Sequence, residues 1–275
     1  MGQRVDAERA TADRAATLVL CRCEGADLID GARLAQLEEG LARLGLIPVV
    51  VPDLCGLVGR HDPRLASLKG RPLTIIGCYP RALRSLLESA GIAVNSSSLR
   101  LLNLRERPAD EILAELGTCE GDSGQLWSRD DPWTPWFPVI DSQRCSSCQQ
   151  CASFCLFGVF ETTPEGHVMV ARPAHCKTNC PACARVCPEG AIIFPKLDEA
   201  PINGAEVSDE EALKARIRID VDRILGPDIY KTLAARRQKA SRLRLRREAL
   251  ARATAERARC SCSLVQINAA EQEGP

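Results

Sequence analysis

Apolar positions along the first third of the chain recur with two periods. Short β-rich runs at 18–20, 47–51, 73–76 and 99–104 predict four strands. Between them the period lengthens to that of a helix. Residues 30–44 place Leu34, Leu37, Leu41 and Leu44 at helical spacing, with Gly45 just past the end. Residues 81–90 put Leu83, Leu86 and Leu87 on one face, and 109–116 form a short helix before Gly117. Strands alternating with helices predict an α/β domain over 1–117, a mainly parallel sheet with flanking helices.

The pattern breaks over 118–137. Gly121, Asp122, Ser123 and Gly124 are loop residues, and Pro132, Pro135 and Pro138 interrupt any regular element. All three tryptophans, Trp127, Trp133 and Trp136, lie here. That much aromatic surface predicts a linker packed across a domain boundary. A cysteine-rich stretch occupies 138–204. Beyond it, 205–275 reads as a helical extension. Ser208-Asp209-Glu210-Glu211 has the form of a capping box, Leu213, Ile217, Val221 and Ile224 share a face, and Gly226-Pro227 ends the helix. Residues 228–259 are Ala/Arg-rich, with an imperfect apolar stripe of Leu233, Leu243, Leu245 and Leu250.

The formal net charge of +0 conceals a division. Residues 228–259 carry eleven basic side chains against three acidic ones, so the rest of the chain is acidic. Such a tail suits docking or packing against a protein, with a solvated or partly disordered tail the alternative and nucleic-acid binding the least favoured. No run of about 18 apolar residues is present, so no membrane span is expected. Nor is there an export signal, and a cytoplasmic location is expected.

The fifteen cysteines change the picture most. An odd count without an export signal argues for reduced thiols, and at this density for metal ligands. Cys145, Cys148, Cys151 and Cys155 form C-x2-C-x2-C-x3-C. Cys176, Cys180, Cys183 and Cys187 form C-x3-C-x2-C-x3-C, followed by Pro188. Zinc ribbons and disulfides are the alternatives, but zinc sites pair separated C-x2-C units. This doubled run resembles the bacterial-type two-[4Fe–4S] ferredoxins, an α+β fold, over roughly 138–196. The resemblance implies one cluster on Cys145, Cys148, Cys151 and Cys187, and another on Cys155, Cys176, Cys180 and Cys183. Leu156 stands where that family usually has proline, and the loop between Cys176 and Cys180 is one residue longer than its counterpart. All five phenylalanines (Phe137, Phe154, Phe157, Phe160, Phe194) flank or lie within this segment, where they would shield clusters from water.

Four more cysteines follow predicted strands: Cys21 and Cys23 the first, Cys55 the second, Cys78 the third. The C-terminal ends of parallel strands lie along one edge, so these thiols can converge without a local motif. Four buried, unligated core cysteines are the alternative. Cys21-Arg22-Cys23, Cys55, Cys78-Tyr79-Pro80-Arg81 and Asn103-Leu104-Arg105-Glu106 resemble the N-terminal domain of the flavin-bearing heterodisulfide reductase component over roughly 15–117. That resemblance implies a third iron–sulfur cluster on Cys21, Cys23, Cys55 and Cys78. A [4Fe–4S] type is expected, with [2Fe–2S] the alternative known on a similar domain. Cys119, Cys260 and Cys262 remain, as spare thiols or as ligands shared with a partner.

No G-x-G-x-x-G follows a strand, no P-loop is present, and His61, His167 and His175 belong to no nucleophile–base arrangement. A flavin or nucleotide site is therefore not expected. The sequence reads as a non-catalytic iron–sulfur electron-transfer subunit serving a partner oxidoreductase such as a flavoprotein. The alternatives are a redox-sensing regulatory module with a basic tail, and a catalytic heterodisulfide-reductase-like subunit.

Overall fold

The computed structural model describes residues 16–242, apart from 25, 27, 96, 117–123, 129–132 and 227. Four parallel strands form the first sheet: β1 (Thr17–Cys21), β2 (Val49–Val51), β3 (Leu73–Gly77) and β4 (Leu99–Asn103), in the order β2-β1-β3-β4. The register pairs Cys21 with Val51 and Ile76 with Leu20. Chain direction across the sheet reverses at β1, so the β1/β3 junction is a topological switch point. In open α/β sheets ligands bind outside the carboxyl ends of the strands at that point.

Side chains of period two divide the sheet faces. Leu18, Leu20 and Ile76 pack with α1 (Gly31–Arg43) and α4 (Ala109–Leu116). Val19, Cys21, Leu73 and Ile75 face the opposite way, toward α2 (Leu54–Gly59) and α3 (Pro80–Ser89). Burial on both faces explains the near-continuous apolar strands. Asp30 caps α1, its side chain accepting from the Arg33 N–H, and Gly45 beyond it takes a positive φ of 71°. Pro80 opens α3, whose Leu83, Leu86 and Leu87 are fully buried. Each such burial contributes about 1.5–3 kcal/mol.

Three features depart from the sequence reading. The short helix α2 and a 3₁₀ helix at Pro63–Leu68 fill the β2–β3 connection, which no periodicity marked. The tryptophan segment reaches the sheet edge. Leu126 bridges Val50 in parallel, and Trp127 N–H donates to the Val50 carbonyl at 2.9 Å. The cap of the later helix is Asp209, which accepts from Ala212 N–H at 2.9 Å, rather than Ser208.

Each of the three tryptophans packs against a neighbouring side chain. Trp133 stacks on Phe137 at 6.0 Å, Trp136 tilts against Phe194 at 5.5 Å, and Arg64 lies over Trp127. The cysteine-rich region holds two antiparallel pairs: β5 (Val139–Ile140) with β8 (Ile192–Ile193), and β6 (Phe160–Thr162) with β7 (Val168–Val170). Short helices α5 (Gln150–Phe154) and α6 (Ala182–Arg185) lie between them in the chain. Its buried residues are continuous with the core on the α2/α3 face of the first sheet. Two longer helices follow, α7 (Glu210–Leu225) and α8 (Ile229–Arg242). Helix α8 packs along α5, with Arg236 over the Phe154 ring at 4.4 Å. Leu233 of the predicted stripe is half-buried there; Leu243, Leu245 and Leu250 lie outside the described residues.

Candidate metal centres

The carboxyl ends of β1 and β3 and the start of α2 bring four cysteines together. Cys21 ends β1, Cys23 lies two residues on, Cys55 sits in the first turn of α2, and Cys78 follows β3. All four are buried. Gly77 permits the approach of the strands, since a Cβ there would meet the Cys21 Cβ at 3.3 Å. Burial pushes all four thiols up, Cys78 to about 12, and the neighbouring thiols and Asp53 add to the effect. Such thiols keep their protons until a metal displaces them.

Two donors already address these sulfurs. Leu54 N–H donates to Cys21 Sγ at 3.4 Å, and Lys196 Nζ lies 3.2 Å from Cys23 Sγ. Arg105 adds positive charge that pulls Cys23 and Cys78 down. Its Nη1 is buried with no hydrogen-bond partner among the described residues. Cys23 itself has a φ of 56°. A left-handed residue in such a loop turns successive N–H groups toward one concavity, a backbone form found at iron–sulfur sites. Thiols, cations and an orphaned donor together fit an anionic metal–sulfur group.

The doubled cysteine run shows the same backbone habit. Ser147, before Cys148, and Asn179, before Cys180, both lie in the left-handed region at φ 55° and 59°. The longer second loop is thus absorbed ahead of Asn179, where Cys180 N–H closes a turn on the Lys177 carbonyl. Gln149 is left-handed as well. Its counterpart Pro181 has a φ of −91°, since a proline ring excludes the left-handed region.

The thiols of this region raise one another across the two runs. Burial and the charges of Cys187, Cys148 and Cys145 together push Cys151 up to about 12. Burial raises Cys183 well above the usual range, with Cys176, Cys155, Cys151 and Cys180 adding to it. Cys187 is raised by burial, opposed by N–H groups of Ala191, Glu189 and Ile192; the Ala191 donor is 3.3 Å from its sulfur. Cys148 is exposed; Cys145 is half-buried and borders a cavity of about 750 Å³ lined also by Glu88, Phe137, His167 and Met169.

No disulfide joins the twelve described cysteines. Among the described residues no three Cys, His, Asp or Glu side chains close on one point as ligands of a single ion would. Cys119, Cys260 and Cys262 lie outside the described residues.

Sequence reasoning missed the residues that join the two cysteine regions. Arg81 donates to Asp141 and to the carbonyls of Pro201, Ala205 and Gly190. Arg105 pairs with Asp198 and lies over Tyr79 at 5.0 Å. Lys196 pairs with Asp53 at 2.8 Å. Arg81 and Arg105 belong to the short motifs already noted beside Cys78 and in 103–106, a signal that their charge was placed for a purpose. Nothing in the sequence marked Lys196 or Asp53.

No family model matches the chain. An uncharacterised ferredoxin of Methanocaldococcus jannaschii is 48% identical to it over 61 residues, 22% of this chain and 41% of that protein. Subunit PorD of pyruvate synthase from the same organism is 30% identical over 60 residues, 22% of this chain and 67% of PorD. The chain thus spans less than half the length of the first relative and two thirds of the second. Among the described residues no helix is long and apolar enough to cross a membrane. The likenesses show a ferredoxin domain, and by that domain the chain belongs among the ferredoxins, the iron–sulfur electron carriers.

Proposed function

We propose that the chain is an electron-transfer subunit with three iron–sulfur centres. Cys145, Cys148, Cys151 and Cys187 would hold one [4Fe–4S] cluster, and Cys155, Cys176, Cys180 and Cys183 a second. Cys21, Cys23, Cys55 and Cys78 would hold a third, in a domain resembling the N-terminal domain of the flavin-bearing heterodisulfide reductase component. Bound clusters supply one-electron storage; the protein contributes thiolates, N–H donors, charge and exclusion of water. The grouping of buried thiols at a switch point, facing Lys196 and Arg105, carries the third-centre reading. The short, repeated spacing of the two runs supports the other two.

The partner is a redox protein. PorD, one relative of the ferredoxin domain, is named as a subunit of pyruvate synthase, which supports an oxidoreductase as that partner. Exposure of Cys148 makes its loop the natural face for exchange with a partner. Metal ligation also supplies folding energy to a region whose regular elements are only two to five residues long.

Anaerobic purification of the full chain with iron and sulfide counting tests this reading. About twelve irons per chain are expected, against about eight for two cubes. Cys78→Ala should remove the iron of the N-terminal centre and spare the rest. Unchanged iron in that variant would remove the third centre from the proposal.

A further inference from the structure

Lys196 belongs to the segment just after β8, beyond the second cysteine run, yet its ammonium lies among the N-terminal thiols. Its Nζ is 3.2 Å from Cys23 Sγ and 2.8 Å from Asp53 Oδ2. Both side chains of the ion pair are 5% exposed. Placing an ammonium there costs several kcal/mol in lost hydration, so its partners must hold it. The Asp53 carboxylate, 2.8 Å away, supplies the opposing charge.

Asp53 has a second task. Its Oδ1 accepts from Gly56 N–H at 3.3 Å, capping the helix whose first turn carries Cys55. The pair is thereby oriented, with its positive end on the Cys23 sulfur.

We propose that Lys196 is the positioning residue that sets the electron affinity of the N-terminal centre, a positive charge lent across the domain boundary to the Cys23 sulfur. This rests on the reading that Cys21, Cys23, Cys55 and Cys78 hold an iron–sulfur cluster. Reduction adds one negative charge to such a centre and no atom. A cation in contact with one of its sulfurs stabilises that charge, since net charge and hydrogen bonds to sulfur set the potential. The lysine comes with the ferredoxin domain, so the contact that assembles the two regions also makes the N-terminal centre a better acceptor. Electron affinity and domain docking become one property.

The test is an anaerobic redox titration of the full chain, followed by electron paramagnetic resonance, with iron counted in each sample. The N-terminal signal is the one lost in Cys78→Ala. Lys196→Gln should move its midpoint down by a tenfold or greater change in the reduction equilibrium, 59 mV or more for one electron. The ferredoxin signals should move less, and Lys196→Arg should restore most of the shift. Asp53→Asn compared with Asp53→Asn/Lys196→Gln repeats the measurement without leaving a carboxylate buried alone. The double variant should have the lower midpoint. An unshifted midpoint with iron retained overturns the proposal, as does loss of the N-terminal iron from every Lys196 variant, the arginine included. Wild-type iron of about eight, unchanged by Cys78→Ala, instead overturns the three-centre reading on which the proposal stands.

Discussion

Arg81, three residues after Cys78, donates its Nε to Asp141, four residues before Cys145, at 2.6 Å, with 8% and 7% of the two side chains exposed. The same guanidinium reaches the carbonyls of Pro201, Ala205 and Gly190. Asp141 in turn accepts from Gln143 N–H, and its carbonyl accepts from Cys145 N–H. One arginine thus ties the turn after β3 to the loop that opens the first cysteine run. Arg81→Met strands a buried carboxylate and three carbonyls, and should cost about 3–5 kcal/mol in urea denaturation. Arg81→Lys should recover little of this, since an ammonium lacks the planar fork. A loss below about 1 kcal/mol for the methionine variant would refute the clamp.

Asn179 offers a local test of the longer loop. Its φ of 59° is one that asparagine adopts readily and a β-branched residue does not. Asn179→Val should lower stability by about 1–2 kcal/mol, the cost of a left-handed side-chain-bearing residue. It should also release iron from the centre of Cys176, Cys180 and Cys183 sooner than from its neighbour. Asn179→Gly should retain both clusters. Equal iron release from both centres in the valine variant would show that the loop geometry does not govern retention.

Period and spacing carried the regular parts of the fold. The helix predicted over 30–44 spans Gly31–Arg43, and the strands at 73–76 and 99–104 differ by one residue from Leu73–Gly77 and Leu99–Asn103. These elements bury simple apolar faces, and period reports burial. Helix α2 escaped because its six residues are almost wholly buried, leaving no polar face to give a period. The Leu126–Val50 bridge escaped because a single sheet contact has no pattern at all. At the candidate sites the cysteines announced themselves by spacing and by position after strands. Lys196 and Asp53 did not, since each is one charged residue whose partner lies far along the chain. A contact of that kind exists only after folding.

The proposed exchange of fourth cysteines between the two runs takes double variants to test. The charges acting on Cys151 include that of Cys187 from the second run, and those acting on Cys183 include Cys155 and Cys151 from the first. If Cys145, Cys148, Cys151 and Cys187 hold one cluster and Cys155, Cys176, Cys180 and Cys183 the other, Cys148→Ala/Cys187→Ala damages one cluster twice and leaves the second spectrum intact. Cys148→Ala/Cys155→Ala damages both, although its two residues are close neighbours in a single run. Grouping run by run predicts the reverse, with the second pair sparing a cluster and the first sparing none. Electron paramagnetic resonance of the two double variants, with iron counted in each, separates these outcomes. Both variants lose two thiols, so general destabilisation acts on each and only the ligand assignment predicts which of them keeps an intact cluster.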